Sequence, residues 1–431
     1  MAVNEKLSGP LADITVVEFA QVIAIPMCGL ILADMGATVI KVEPPTGDSS
    51  RHNLQPIFPG ESKSFAIFNR GKRSVCIDVA NPSSQPVIER LVREADVVLV
   101  SFKPSDVHRY GIDYATVAGY NPKLIYLEHI PLGPKGPYSD IGGYDVIVQG
   151  LSGIGSITAA PGNAPRTVAP AYADHATGMV SALAVVAALR HRDRTGEGQR
   201  VETSLLATSF ALGGNLLAWF GATDPDVWEA FDSQLAAARK NDEPFGAQQE
   251  LYQRTIRAGG FGNISFRHYR TQDGFVSVGA LSPGLVARFL TVTGLKDPRK
   301  EPGFELGTPE AFAQLADFVT AAEDLFRTKS TKEWIETFRE AGIPAGPFHF
   351  LTEAFEERQL IENGYIVELD HPSFGPYKSF DTPFRMDRTP VGPKSASPVL
   401  DVDTDEVLSG AGFSAGEIAA LRASGVVGSR E

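Results

Sequence analysis

Between residues 14 and 130 the chain alternates between short β-rich apolar runs and helix-like segments, and no other feature narrows the fold as much. "ITVVEF" (14–19), "TVIKVE" (38–43), "SVCID" (74–78), "DVVLV" (96–100) and "KLIYLEHI" (123–130) read as buried strands. Among them stand two helical segments, "IPMCGLILADMG" (25–36), with Pro26 in its first turn, and "SSQPVIERLVREA" (83–95). Strands joined through helices make βαβ units, so the pattern predicts an α/β fold: a Rossmann-like domain with a parallel sheet covered on both faces. After "GQRVETSLL" (198–206) the character changes, and residues 222–263 read as a polar, irregular linker or loop. A smaller unit follows, with a strand at 273–281, helices over 283–294, 309–327 and 331–341, and a Gly/Pro turn at 341–350. The tail, 408–426, reads as a helix capped by Ser414.

Several chemistries are excluded by what is missing. "GLSGIGSIT" offers glycines without the G-x-G-x-x-G order, and there is no Walker loop, H-E-x-x-H, C-x-x-C or G-x-S-x-G. A net charge of −13 argues against a nucleic-acid binder; an anionic ligand would need a local cluster of cations. Cys28 and Cys76 sit in apolar runs and read as buried small hydrophobes, neither disulfide nor metal ligands. The N-terminus lacks the build of a signal peptide, and the apolar run Gly178–Leu189 is shorter than the roughly 20 residues of a membrane span. The expectation is a cytoplasmic protein with no membrane or metal partner.

One stretch invites a chemical reading: "PAYADHATGMVSALAVVAALRHRDRTGEGQ", residues 170–199. Asp174 and His175 stand directly before a helix-like run that is apolar on every side. By one reading Asp174 is an N-cap, Arg190, His191, Arg192 and Arg194 complement the far end of the dipole, and Gly196 ends the helix. By the other, helix amides and dipole keep Asp174 ionised in apolar surroundings, which makes its carboxylate a nucleophile toward an activated acyl group. His175 is a rival base or a structural residue, pointing about 100° away around a helix.

These residues belong to an ordered series. "GPLADITVVEFAQVIAIPMCGLILADMGATVIKVEPPTGDSSR", "FNRGKRSVCIDVANP", "ADVVLVSFKPSDVHRYGIDYATV", "NPKLIYLEHIPLGPKGPYSDIGGYDVIVQGLSG", the Asp174 block, "GIPAGPFHFLTEAFEERQLIENGYIVELDHPSFG" and "DTDEVLSGAGFSAGEIAALRASGVV" follow one another nearly end to end. In that order the chain resembles the family III CoA-transferases, a group that includes the related α-methylacyl-CoA racemases.

The resemblance implies that Asp174 is the nucleophile, carrying CoA as an aspartyl thioester between an acyl-CoA and a small carboxylic acid, with no cofactor beyond coenzyme A. It places CoA contacts on Ile23 and Ala24, on Ile77, Asp78, Val79 and Ala80, and on Ser101, Phe102 and Arg109. Asp145 matches an acidic residue that helps hold the site. It further implies a large Rossmann-like domain (1–221), a small α+β domain (225–345), a C-terminal segment (346–431) returning to the large domain, and an interlocked homodimer. Cations available for the CoA phosphates are Arg51, Lys72, Arg73, Lys103 and Arg109. Oxyanion donors are sought in "GALSPG" (279–284) or "AGGFG" (258–262).

Three cation positions of the family are lost, to Pro44, Ala80 and Gly142, and the glycine-rich flap of formyl-CoA transferase has no counterpart. Tyr144 stands where racemases carry a histidine, and a phenol with a pKa of about 10 is a poor base at neutral pH. That position favours the transferase over a racemase, and the retained Asp174 speaks against a CoA-binding protein without turnover.

Overall fold

The structure is a computed structural model and describes residues 9–53, 55–157, 165–257, 260 and 262–429. Its chain divides into two compact units. One takes the N-terminal region, Thr167–Leu217 and the C-terminal region from Gln359; the other centres on Ala218–Arg358.

The first unit is built on six parallel strands: β1 (Thr15–Phe19), β2 (Thr38–Glu43), β3 (Arg73–Cys76), β4 (Val97–Val100), β5 (Ile125–His129) and β6 (Gln199–Thr203). Their order is β3-β2-β1-β4-β5-β6, so the sheet grows outward from β1 in both directions. Five strands match the runs read from the sequence; the edge strand β6 lies in "GQRVETSLL", whose alternating burial is weaker than that of the central strands. The helices that matter for the site are α1 (Ala24–Asp34), α2 (Gln85–Arg93), α3 (Asp145–Leu151) and α4 (Tyr172–Thr195).

Both sheet faces are covered. On one face α1 and α4 pack Met27, Cys28, Ile31, Leu32, Ala182, Val185 and Leu189 against Val16, Val97, Leu99, Ile125 and Leu127. On the other, α2 and the C-terminal helices bury Val87, Ile88, Leu91, Leu408 and Ile418 against Val17, Val75, Val98 and Tyr126. α1 and α4 cross closely because Gly178 has no side chain: a Cβ there would stand 2.6 Å from the Ala24 carbonyl oxygen and 2.7 Å from Met27 Cβ.

α4 is 24 residues long, with a mean hydropathy of 1.3 over its most apolar window, so it outgrows the apolar run of the sequence and could span a bilayer by length and composition. Its setting is that of a crossover helix between β5 and β6, with Ala173, Thr177, Gly178, Ser181 and Val185 buried. Gly196, left-handed at φ 78°, ends it.

The second unit holds an antiparallel sheet of three strands, Phe266–Arg270, Phe275–Gly279 and Ala345–Pro347, with helices Pro283–Thr293, Pro309–Phe326 and Thr331–Glu340. Its core is aromatic: Tyr269 stacks on Phe326 at 3.8 Å, beside Phe289, Trp334 and Phe338. Two expectations are corrected. Residues 222–263 are not an irregular linker; they contain helices Pro225–Lys240 and Phe245–Thr255, whose mixed polar surfaces disguised the periodicity. The turn at 341–350 includes a strand that pairs with Phe275–Gly279. The helix capped by Ser414 in the tail is Ala415–Ala423, opened by a Ser414–Glu417 capping box, and a separate helix, Thr404–Gly410, precedes it.

Candidate active site

In a sheet of this order, the chain leaves β1 and β4 in opposite directions, opening a crevice beyond their carboxyl ends. Two cavities lie there. The larger, about 330 Å³, is lined by the segment after β1 (Gln21–Ala24), the one after β4 (Ser101–Pro104), the end of β5 (His129–Pro131), Tyr144 and Asp174. The smaller, about 150 Å³, is lined by Glu43, Pro44, Ile77, Asp78, Val79, Ala80 and Tyr110. Gln21 and Phe102 line both.

Asp174 reaches the larger cavity from the first turn of α4, and it is not the cap. The N-cap position is Ala171, which has no capping side chain. The cap is supplied by Asp145 of α3, whose Oδ2 accepts the amides of Ala173 (2.8 Å) and Asp174 (3.2 Å). Gln149 holds the other Asp145 oxygen and exchanges two hydrogen bonds with the Val168 backbone, at 3.0 Å each. Asp145, which the resemblance gives as an acidic residue that helps hold the site, is buried and faces backbone amides and Gln149, lining neither cavity.

This arrangement leaves the Asp174 carboxylate with no hydrogen-bonding partner among the described residues. Burial, and secondarily the negative charge of Asp145, push its pKa up to about 7. The helix terminus therefore does not hold Asp174 at an ordinary carboxylate pKa, because the amides of Ala173 and Asp174 bond to Asp145 instead. His175 is structural, its Nδ1–H donating to the Ala171 carbonyl at 2.7 Å and its ring edge-on to Phe68 at 5.3 Å.

The remaining site residues divide cleanly. Ile23, Ala24, Ser101 and Phe102 share the cavity with Asp174, whereas Ile77, Asp78, Val79 and Ala80 line the second one with Phe102. Phe102 meets Tyr110 edge-on at 5.8 Å. Arg109 lines neither cavity; its exposed side chain pairs with Asp106 (2.7 Å) and the Tyr110 hydroxyl (2.7 Å).

Two of the expected phosphate cations are consumed inside the fold. Arg51 is fully buried between Glu43 (2.8 Å) and Glu61 (3.0 Å), and Lys72 is buried against Glu18 (2.8 Å). Arg73 pairs with Asp403 and Glu406. Lys103 lines the larger cavity. "GALSPG" lies in the second unit, where Ser282 caps the helix from Pro283; Ala258, Gly259 and Phe261 of "AGGFG" lie outside the described residues.

Sequence reasoning missed Gln21, Val22, Ser49 and His129. His129 ends β5, 2% exposed, with Nδ1 3.3 Å from Thr203 Oγ1, and burial lowers its pKa to about 4. Its place as the last residue of a strand was the available signal. Val22 had none: a valine at φ 74° is not foreseeable from its residue type.

Residues 11–404 match the model of CoA-transferase family III. A succinate–glutarate CoA-transferase of Agrobacterium fabrum is 32% identical over 93% of this chain and 95% of its own. A formyl-CoA:oxalate CoA-transferase of Afipia carboxidovorans is 29% identical over 97% of each. Among solved structures, a CaiB/BaiF family protein from Brucella suis superposes with a TM-score of 0.72 at 27% identity, covering 94% of this chain and 100% of its own. A near end-to-end match on a doubly wound sheet, with an aspartate at the mouth of its crossover helix, settles the assignment: the chain belongs to CoA-transferase family III.

Proposed function

We propose that the protein moves CoA from an acyl-CoA to a free carboxylic acid through a thioester on Asp174. The Asp174 carboxylate adds to the thioester carbonyl and expels CoA as its thiolate, leaving a mixed anhydride. The thiolate then attacks the Asp174 carbonyl of that anhydride, releasing the donor acid and forming aspartyl-CoA. The acceptor carboxylate attacks this thioester in turn, and the returning thiolate takes the acceptor acyl group from the second anhydride and frees Asp174. Each step exchanges one acyl bond for another, so no oxidant, reductant or group beyond CoA enters.

The observation that carries this reading is an Asp174 carboxylate without a hydrogen-bonding partner among the described residues, lining a cavity at the switch point of the sheet. A carboxylate with a pKa near 7 is a better nucleophile than a solvated one and is still substantially ionised at neutral pH. The smaller cavity, behind Phe102 and Ile77–Ala80, suits the nucleotide end of CoA, and the larger one suits the thioester arm. Lys103 Cε lies 3.5 Å from where a Cβ on Gly142 would stand, and so offers a cation beside the position where the family resemblance implies a lost one. We also propose that two chains interlock as a homodimer, consistent with the exposed Met179, Val180 and Leu183 on α4; light scattering tests this.

Incubation with acyl-CoA followed by hydroxylamine is the decisive experiment. The expected result is inactivation with modification at Asp174, absent in Asp174→Ala. An enzyme left unmodified by every acyl-CoA, or one that exchanges the α-proton of a 2-methylacyl-CoA with solvent deuterium, would overturn the proposal.

A further inference from the structure

Gln21–Ala24 form one wall of the Asp174 cavity, and the segment that carries them, from Ala20 to Pro26, is held by charges that never meet water. Lys41 Nζ donates to the Ala20 carbonyl at 2.8 Å and lies 3.1 Å from Glu18 and 2.8 Å from Asp48 Oδ2, all three side chains fully buried. Lys72 Nζ donates to the Pro26 carbonyl at 2.8 Å while paired with Glu18. Two buried lysines thus pin the carbonyls at both ends of the segment.

Asp48 grips its middle. Oδ1 accepts the Val22 amide at 3.3 Å and the Ser50 amide and hydroxyl at 2.8 Å each. Alongside, the Ser49 amide donates to Gln21 Oε1 at 3.2 Å. Val22 itself sits at φ 74°, in the left-handed region that a β-branched side chain avoids. Such conformations persist where the surroundings enforce them, and they gather at functional sites. Here the bonding group is a buried carboxylate, and both Val22 and Ser49 line the same cavity as Asp174.

We propose that Asp48 is a positioning residue for CoA transfer: clamped by Lys41, it holds Val22 in its strained turn and so fixes the wall against which the thioester lies. The inference rests on the transferase reading, but it has a readout of its own in CoA affinity. The alternative is that Asp48 only neutralises Lys41. The two differ in whether residue 48 is coupled to the backbone at residue 22, because glycine adopts the left-handed turn without help.

The experiment is a double-mutant cycle of Asp48→Asn and Val22→Gly, read by the dissociation constant for CoA and by kcat/KM for an acyl-CoA. Asp48→Asn is expected to weaken both by roughly 10-fold or more. Adding Val22→Gly is expected to restore at least about 3-fold of that loss, although Val22→Gly alone gives no gain. Ser50→Ala, which removes one bond to Asp48 and leaves the ion pair intact, is expected to act in the same direction by about 2- to 5-fold and to show the same coupling. Effects that simply multiply, or an Asp48→Asn protein that binds CoA like wild type, would overturn the proposal. A failure of the transferase reading shows instead in the wild type, as CoA binding and coupling without transfer.

Discussion

The Asp145 carboxylate accepts the backbone amide of Asp174 at 3.2 Å, so one acid caps the helix on which the other is presented. The consequence is electrostatic. Asp145 removes the donors that would have stabilised Asp174 as an anion and adds a negative charge nearby, on top of the burial that raises its pKa to about 7. The acylation rate under kcat/KM conditions is expected to rise with pH through a midpoint near 7. Asp145→Asn should move that midpoint down, since a negative neighbour is lost; a pH–rate profile of Asp174 acylation checks both.

Stability carries the same signature with the opposite sense for function. Asp174 has a folded pKa above its unfolded value of 3.8, so the native state binds more protons between pH 4 and 7 and loses stability as pH rises across that window. Asp174→Asn should therefore be inactive yet more stable at pH 8, by about 1–3 kcal/mol, with the gain fading as pH falls from 7 to 4 and absent below that. Urea unfolding at several pH values measures it.

His129 works in the other direction. Its folded pKa of about 4 lies below the unfolded 6.5, so its contribution is intact above pH 6.5 and is lost as pH falls toward 4. The loss should reach about 2–3 kcal/mol, offsetting the gain from Asp174 over nearly the same range. In His129→Gln, stability should rise more steeply as the solution is acidified from pH 6.5 to 4 than it does in wild type.

Gly178→Ala places a methyl group 2.6 Å from the Ala24 carbonyl oxygen. Overpacking at that crossing should cost about 1–3 kcal/mol and push the start of α1 away from Asp174, raising KM for the acyl-CoA. Thermal unfolding and steady-state kinetics report the two effects separately.

The cations are separable by titration calorimetry. Lys103→Ala should weaken CoA binding roughly 10-fold and flatten its salt dependence. Arg109→Ala, whose guanidinium is already paired with Asp106 outside both cavities, should change it less than about 3-fold.

The sheet was legible because its central strands are buried on both faces and read as unbroken apolar runs, "ITVVEF" and "DVVLV" above all. Asp174 was legible as a carboxylate at the mouth of an apolar helix, but its environment was not. The capping acid lies 29 residues away, and no local pattern connects Asp145 to the amide of Asp174. Arg51 and Lys72 misled for a related reason: a cation looks the same in sequence whether it awaits a phosphate or is already paired with Glu43 or Glu18. The two helices between Pro225 and Thr255 were hidden because periodicity shows only where one face is distinctly apolar.

Gln21 and Phe102 stand in the walls of both cavities, which makes the two hollows neighbouring rooms with a common partition. A ligand long enough to occupy both is gripped far from the bond that breaks. Its remote end acts as a handle, and purchase on that handle is converted into alignment at the reacting carbon. A clipped thioester that fits only the nearer room keeps the same reactive bond but forfeits the leverage, so it should be lost in turnover rate as well as in affinity.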